Sequence, residues 1–179
     1  MMDYTEQKIT GKTVFQGKII QVELDEITLP NGRPARREVV RHPGGVCILA
    51  LDQDGQVTLV RQYRYPMAEH IIELPAGKLD PGEEPSAAAR RELEEETGLR
   101  PGKLDYLGCL LASPGFCTER LHMFLARDLE RLPSHPDEDE FLDVFTMPYE
   151  QLLAQVMAGE LQDAKTVAIT LKTKVLLGL

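Results

Sequence analysis

The sequence predicts an α+β fold in which a few helices cover a mixed β-sheet. Short apolar or β-branched runs, bounded by Gly, Pro, Asn or Asp, recur over residues 9–74 and again over residues 104–147. Helical spacing of apolar residues follows Pro85 and occupies residues 148–177. Because strands outnumber helices and the two alternate along the chain, a layered sandwich is the architecture expected to bury both.

Composition and charge limit the classes of function. The 179 residues are 42% hydrophobic and 27% charged, which is ordinary for a globular domain. The net charge of −9 argues against a nucleic-acid or anionic-membrane partner. The three cysteines lack metal-ligand spacing, and their odd number suits a reducing cytosol. Since there is no apolar signal region and no apolar run of about 18 residues, we expect a cytoplasmic protein without a membrane span.

The first part of the chain predicts a strand-rich N-terminal segment, residues 1–44. Its strands are expected at residues 13–16, 19–29 and 36–41, with a Pro-Asn-Gly hairpin turn before the last. Breakers at residues 42–45 separate this segment from a main domain, residues 45–179. From local sequence alone, Arg36 and Glu38 are best explained as parts of a solvated strand face.

The main domain predicts six further strands and two C-terminal helices around a central motif. The strands are expected at residues 46–51, 57–63, 71–74, 104–111, 121–125 and 141–147. The helices are expected at residues 148–157 and 162–177, and residues 127–140 are expected to form a loop with an acidic end. Arg64, at the end of the second of these strands, could grip a phosphate, and a surface salt bridge explains it equally well.

Residues 77–99, GKLDPGEEPSAAARRELEEETGL, are the most informative stretch. Glu92, Glu95 and Glu96 stand at i, i+3 and i+4, so on a helix their carboxylates share one face. Such like charges repel unless a cation lies among them, and Mg²⁺ takes carboxylate and phosphate oxygens as ligands. A glutamate-rich helix face is by itself most often only solvated, so the metal interpretation depends on the whole stretch.

Turn and cap residues frame the predicted helix. Asp-Pro-Gly at residues 80–82 is turn chemistry, and Pro85 suits the first helical position, where a missing N–H costs nothing. Gly98 is expected just past the helix end in the left-handed conformation, with Pro101 preventing continuation. The stretch therefore predicts a loop, a helix and a loop that hold carboxylates toward a cleft. Ala76, just before it, could add a backbone carbonyl ligand.

The complete pattern resembles the Nudix box, G-x5-E-x7-R-E-U-x-E-E-x-G-U, where U is aliphatic. The matching residues are Gly77, Glu83, Arg91, Glu92, Leu93, Glu95, Glu96, Gly98 and Leu99. The resemblance implies an α/β/α sandwich, the Nudix fold, and hydrolysis of a nucleoside diphosphate linked to another moiety. Pro114, 16 residues after Gly98, and the fragments VRQYR, ELPAGKLDPGE, SPGF and HPDEDE are similar to the ADP-ribose pyrophosphatase branch of that family.

The resemblance also implies a role for each motif residue. The implied metal ligands are Glu92 and Glu96, assisted by Glu95 and the Ala76 carbonyl, with Glu140 as an additional ligand. Glu138, in the loop before the last strand, is the implied catalytic base, with Asp139 and Glu140 as alternatives. Glu83 would hold the loop to the helix, and Arg91 would orient a glutamate.

The implied substrate contacts lie outside the box. Arg64 would contact the diphosphate and Pro114 would mark the ADP-ribose branch, while Arg36 and Glu38 would reach across from a partner subunit. This implies a homodimer with exchanged N-terminal strands.

The implied reaction is metal-activated water attack on ADP-ribose, a small molecule, giving AMP and ribose 5-phosphate. Two or three Mg²⁺ ions per site are implied, with Mn²⁺ as a substitute. Two alternatives remain: a nucleotide-sugar pyrophosphatase acting, for example, on GDP-mannose, and a non-catalytic nucleotide-binding module. The second is disfavoured because all the box glutamates are present.

Overall fold

The computed structural model describes residues 2–134 and 141–178. It divides the chain into two compact units. The first contains the residues up to Gly44 together with Leu111–Arg120, and the second contains Gly45–Leu110 and the chain from Leu121 onward. Residues 111–120 thus group with the N-terminal strands. The expected separation into domains at residues 1–44 and 45–179 stays a prediction.

Three antiparallel strands make up most of the first unit. They are β1 (Gln7–Gln16), β2 (Gln21–Thr28) and β3 (Pro34–Arg41), paired in the order β1-β2-β3. The turn before β3 uses Gly32, whose φ of 80° favours glycine and whose N–H donates to the Leu29 carbonyl at 2.8 Å. β1 begins earlier than predicted because it pairs with the whole of β2. All ten residues of β1 are exposed, so an apolar pattern does not mark its beginning.

The second unit is built on one mixed sheet of seven strands. The strands are β4 (Gly45–Leu51), β5 (Gln56–Arg64), β6 (Glu69–Glu73), β7 (Ala76–Lys78), β8 (Leu99–Leu110), β9 (Leu121–Arg131) and β10 (Leu142–Pro148). The order is β10-β5-β4-β9-β8, with β6 also paired to β5 and β7 to β4. β4 and β9 are parallel and the other pairs are antiparallel, so the predicted mixed sheet is confirmed.

Helices cover both faces of this sheet. They are α1 (Pro85–Thr97), α2 (Tyr149–Ala158) and α3 (Ala164–Leu177). Along β4, Cys47 and Leu49 pack with α2 and α3, whereas Val46 and Ile48 pack with α1. A strand buried on both faces reads as a continuous apolar run, as β4 does. The predicted α/β/α sandwich is confirmed, and none of the helices described is long and apolar enough to cross a membrane.

Three stretches of the second unit differ from the sequence prediction, the first being β8, which begins at Leu99 and not at residue 104. β9 continues to Arg131, so the predicted loop over residues 127–140 is wrong for its first part. The strand continues because β8 runs beside it, with Leu99 opposite Arg131, and because Arg127 donates to Asp105 across the pair at 2.5 Å. β7 was not predicted, since its Ala-Gly-Lys sequence is depleted in good strand formers.

Candidate active site

The loop before α1 is a compact turn fixed by its own residues. The Glu83 N–H donates to the Asp80 carbonyl at 3.0 Å, and the Asp80 N–H donates to the Glu83 carboxylate at 3.0 Å. Gly82 has a φ of 79°, the conformation for which glycine was expected. Pro85 opens the helix, and Gly98 ends it with a φ of 68° and an N–H bonded to the Glu94 carbonyl. The turn and cap predictions are therefore confirmed.

Arg91 is the centre of the hydrogen-bond network on α1. Its Nε and Nη2 donate to both carboxylate oxygens of Glu83, at 3.0 and 2.9 Å. Its Nη1 donates to Glu92 at 2.9 Å and to Glu95 at 3.0 Å, and Nη2 reaches the Lys78 carbonyl at 3.2 Å. One guanidinium thus ties the turn and the β7 backbone to two box glutamates. This is the geometry expected of an arginine that orients the box glutamates.

Charge in the Arg91 network is unbalanced. The hydrogen bonds to Glu83, and then the charge of Glu92, raise the pKa of Arg91 above its ordinary value, although desolvation opposes them. The same hydrogen bonds from Arg91 lower the pKa of Glu83. In formal charge, three carboxylates share a single guanidinium. Among these four side chains negative charge exceeds positive charge, and a further cation would offset the repulsion between the carboxylates.

Glu92 lies directly against the backbone of Gly77. A Cβ placed on Gly77 would lie 1.9 Å from the carboxylate carbon of Glu92, far inside van der Waals contact. Any larger residue at this position, in the middle of β7, would force the Glu92 carboxylate to move away from the strand. The first glycine of the box thus leaves room for one of its glutamates.

Glu96 faces the same backbone segment. Its carboxylate accepts a hydrogen bond from the Ala76 N–H at 3.2 Å, and the residue is only 2% exposed. Glu92, at 8%, is also buried. Both glutamates border a cleft of about 170 Å³, whose lining residues are Gln62, Arg64, Ala76, Gly77, Lys78, Asp80, Arg91, Glu92 and Glu96. The structure therefore brings four of the predicted metal- and substrate-binding residues to one cleft: Arg64, Ala76, Glu92 and Glu96.

The donor chemistry of this cleft fits a hard divalent cation. Glu92, Glu96 and the backbone around Ala76 offer only oxygen ligands, which Mg²⁺ prefers. Within residues 2–134 and 141–178, no group of three or more His, Cys, Asp or Glu side chains is gathered as it stands to hold a metal ion. Arg91 instead holds Glu92 and Glu95. The predicted ligand set therefore stays a prediction.

Arg64 reaches the cleft from the end of β5, and one edge of its guanidinium is already engaged. Its Nε and Nη2 donate to the two carboxylate oxygens of Glu73 at 2.6 and 2.7 Å. Hydrogen bonding to Glu73 raises the pKa of Arg64. Glu73 closes β6, pairs in register with Val60 of β5, and is only 2% exposed. The geometry is a bidentate ion pair between a strand end in the cleft and a buried carboxylate.

A second cation, Lys165, shares the Glu73 carboxylate. Its Nζ hydrogen-bonds Glu73 and also donates to Asp163 at 2.8 Å. Asp163 is the N-cap of α3 and accepts from the Thr166 N–H at 2.9 Å. Burial opposes the charge of Glu73, but hydrogen bonds from Arg64 and the charge of Lys165 outweigh it and lower the pKa of Glu73.

Sequence reasoning missed Glu73, Asp163 and Lys165. The sequence contained one signal for Glu73, which is the only charged residue between the apolar Ile71-Ile72 and Leu74. A charged residue within a buried strand needs a partner. Asp163, three residues before Thr166, has the pattern of an N-cap. The pairing itself was not visible, since 92 residues separate Glu73 from Lys165 along the chain.

Three predicted substrate residues lie in the first unit. Arg36 and Glu38 stand on the exposed face of β3, and Arg36 Nη2 lies 3.4 Å from the Glu26 carboxylate. Pro114 is in an exposed turn closed by the Cys117 N–H, which donates to the Ser113 carbonyl at 2.9 Å. Their substrate contacts stay predictions. Glu138, Asp139 and Glu140 lie outside the described residues.

Comparison with known proteins identifies relatives over nearly the whole chain. A model described as NUDIX domain matches residues 40–168, and one described as nucleoside diphosphate sugar hydrolase N-terminal domain matches residues 6–45. The chain is 43% identical to an ADP-ribose pyrophosphatase of Bacillus subtilis, covering 93% of this chain and 91% of the relative. It is 37% identical to a methanol dehydrogenase activator of Bacillus methanolicus, covering 92% and 90%.

A more distant relative and a solved structure complete the comparison. The chain is 37% identical to a GDP-mannose pyrophosphatase of Citrobacter koseri, covering 80% of this chain and 81% of the relative. A crystal structure described as an ADP compounds hydrolase matches with a TM-score of 0.86 at 22% identity, covering 99% of this chain and 97% of that one. At that identity the match shows the fold.

Proposed function

The chain belongs to the Nudix hydrolase family, and from this premise we propose that it is a Mg²⁺-dependent pyrophosphohydrolase cleaving ADP-ribose to AMP and ribose 5-phosphate. The observation that carries the proposal is the cleft that Glu92 and Glu96 line together with Arg64. Carboxylates and a guanidinium that line the same cleft suit a diphosphate that binds together with a hard cation.

Different residues of this chain would bind the metal, bind the substrate and orient the carboxylates. Bound to Glu92, Glu95, Glu96, Glu140 and the Ala76 carbonyl, Mg²⁺ would supply Lewis-acid stabilisation of charge building on the phosphate oxygens. Arg64 would hold the diphosphate with the guanidinium edge that Glu73 does not use. Arg91 would keep the box carboxylates in place.

Glu138 would complete the reaction as general base. It would accept a proton from water while the water oxygen bonds to phosphorus and the bridging P–O bond breaks. The electron pair of that bond leaves with the departing phosphate, and the products are AMP and ribose 5-phosphate.

ADP-ribose is the substrate that similarity favours. The Bacillus subtilis relative bears that activity in its name, and Pro114 has the spacing similar to that branch. GDP-mannose is the second candidate because the Citrobacter koseri relative is named for it. The box does not separate the two, since it handles only the diphosphate they share.

A substrate panel tests the proposal. We would measure kcat/KM for ADP-ribose, GDP-mannose and other nucleoside diphosphates with Mg²⁺ and with Mn²⁺, identifying products by chromatography. ADP-ribose should give the highest value and yield AMP. A higher value for GDP-mannose would select the alternative substrate, and cleavage of none would contradict the proposed function. Glu92→Gln controls for contaminating hydrolases.

The first prediction concerns the base. Glu138→Gln should lower kcat by about 10²–10⁴-fold, the usual contribution of a general base, without changing the Mg²⁺ concentration for half-maximal activity. Steady-state kinetics over a Mg²⁺ titration would measure both. Asp139→Asn is the matched control, and a near-normal kcat for Glu138→Gln would move the base role to Asp139 or Glu140.

The second prediction concerns the proposed homodimer, in which Arg36 and Glu38 would serve the partner's site. Arg36→Ala and Glu96→Gln subunits, each weak alone, should recover about a quarter of wild-type activity when co-expressed, because half of the dimers are mixed and each has one intact site. Sedimentation equilibrium would establish the dimer.

The matched control pairs Arg64→Ala with Glu96→Gln, two residues that line one cleft. That mixture should recover nothing. If the Arg36→Ala mixture also recovers nothing although dimers form, Arg36 serves its own subunit or no site.

A further inference from the structure

A network of four charged residues is centred on the buried carboxylate of Glu73 and includes the cleft arginine. We call it the Glu73 network: Arg64, Glu73, Asp163 and Lys165. Glu73 receives two hydrogen bonds from Arg64, at 2.6 and 2.7 Å, and one from Lys165, which Asp163 holds in turn. The Lys165 side chain is 11% exposed and Glu73 is 2% exposed, so the carboxylate is screened from water on most sides. The two cations and two carboxylates of this network balance in formal charge.

The bidentate contact fixes which way Arg64 points. Because Nε and Nη2 both donate to Glu73, the guanidinium plane cannot rotate without breaking two charge-assisted hydrogen bonds. Arg64 also lines the cleft with Glu92 and Glu96, and the charge of Glu96 attracts it. Without Glu73, the guanidinium would be drawn toward these box carboxylates and would compete with a metal ion for them.

Lys165 occupies a position that helix stability alone does not favour. It stands in the first turn of α3, where the helix dipole disfavours a cation. The N-cap Asp163 and the buried Glu73 offset this cost, and each accepts a hydrogen bond from Lys165. A buried carboxylate with two cationic partners stays ionised and stays in place. The start of α3 is thereby connected through Glu73 to the orientation of Arg64.

We propose that Glu73 and Lys165 are positioning residues that hold the Arg64 guanidinium off the box carboxylates and turn its remaining N–H groups toward the substrate diphosphate. The inference rests on the proposed function, since it assigns Arg64 to the diphosphate. Neither residue touches substrate in this scheme. Both act through Arg64.

Ligand affinity and kinetics of point variants test the proposal. Glu73→Gln keeps the shape of the side chain and removes its charge. Its Kd for ADP-ribose in EDTA, measured by titration calorimetry, and its KM should each rise about tenfold, the scale of a charge-assisted hydrogen bond, with a smaller change in kcat. Lys165→Met should act in the same direction and Lys165→Arg should restore the wild-type Kd. A Lys165→Arg variant as weak as Lys165→Met would remove Lys165 from the positioning role.

The matched control is Glu94→Gln. Glu94 also receives two hydrogen bonds from one arginine, Arg100, at 3.1 Å each, but this pair is more exposed and does not line the cleft. Its Kd and KM should stay within about twofold of wild type, as for surface pairs generally. An equal loss in Glu94→Gln and Glu73→Gln would mean that net charge, and not positioning, sets affinity.

A double-mutant cycle separates positioning from general destabilisation. If Glu73 acts through Arg64, Glu73→Gln should change Kd less than about twofold in an Arg64→Gln background, although it costs about tenfold in the wild type. Additive losses would overturn the proposal. Thermal melts monitored by circular dichroism would restrict the comparison to folded variants, and Lys165→Met provides a second cycle with Arg64 if Glu73→Gln does not fold.

Binding and cleavage of ADP-ribose by the wild-type protein distinguish a failure of this inference from a failure of the proposed function. A wild type that neither binds nor cleaves ADP-ribose contradicts the proposed function. A wild type that does both, with an additive Arg64–Glu73 cycle, contradicts only the positioning role.

Discussion

The two arginines that line the cleft are held in opposite ways. Arg91 spreads its N–H groups over three carboxylates, those of Glu83, Glu92 and Glu95. Arg64 gives two N–H groups to one buried carboxylate, which a second cation also neutralises. Among these four side chains there is one positive charge for three negative ones, while the four side chains of the Glu73 network have two for two.

This difference assigns the two networks different tasks. Carboxylates held close together repel one another, and binding a divalent ion offsets that repulsion. A network that is balanced in charge around a buried carboxylate does not need a further ion and instead fixes geometry. We therefore expect variants of the Arg91 network to alter metal dependence and kcat, and variants of the Glu73 network to alter KM.

Among variants of the residues that line the cleft, the largest effect is expected for Glu96→Gln, whose carboxylate lines the cleft together with Glu92 of the Arg91 network. Losing this proposed carboxylate ligand should raise the Mg²⁺ concentration for half-maximal activity and lower kcat by on the order of a hundredfold, since a catalytic metal contributes several kcal/mol. Kinetics over a Mg²⁺ titration would measure both, with Glu94→Gln on the same helix as the control. An unchanged titration would refute the ligand assignment and the contrast built on it.

A smaller effect is expected for Arg91→Lys. An ammonium cannot hold both oxygens of Glu83 while also bonding Glu92 and Glu95, so the box carboxylates lose their orientation while the charge is kept. Outer-shell changes of this kind cost about 10–100-fold in activity or metal affinity. Steady-state kinetics would show the loss, and Arg100→Lys, which alters an exposed bidentate pair, should cost less than about twofold.

The elements that the sequence predicted best carry their own local signals. Pro85 and Gly98 place both ends of α1, because one suits the first helical position and the other adopts a positive φ. β4 reads as an apolar run because both its faces are buried. The far end of β9 carries no such signal, since it depends on pairing with β8, whose residues lie more than twenty positions away.

The residues of the site also differ in whether local sequence could predict their proximity. Glu92, Glu95, Glu96 and Arg91 form a motif whose spacing is fixed by one helix, so their proximity could be predicted. The bidentate Arg64–Glu73 pair depends on the register between β5 and β6, and the Lys165 contact depends on where α3 begins. Local sequence left Arg64 open between a phosphate contact and a salt bridge. The salt bridge is present, and it engages only one edge of the guanidinium.

The smallest expected effect is on folding stability at acid pH. It tests whether the charges of the Glu73 network stabilise the folded protein. The pKa of Glu73 is lowered in the folded protein, because hydrogen bonds from Arg64 and the charge of Lys165 outweigh the cost of burial. A lowered folded pKa means that this stabilisation is fully present above the ordinary value of 4.5 and is lost as the pH falls toward the folded pKa. The difference in unfolding free energy between wild type and Glu73→Gln should therefore be constant above about pH 6 and shrink as the pH falls below the ordinary value of 4.5.

Urea unfolding followed by circular dichroism would measure that difference, and Glu94→Gln is again the control. A difference that stays constant down to about pH 3.5 would mean that Glu73 gains no ionic stabilisation on folding. Arg64 and Lys165 would then not stabilise the ionised form of Glu73. This result would contradict the contrast between the two networks, because the Glu73 network would not be held by charge balance. A shrinking difference confined to Glu73→Gln would instead mean that the carboxylate holding Arg64 is ionised throughout the neutral range, as the positioning role requires.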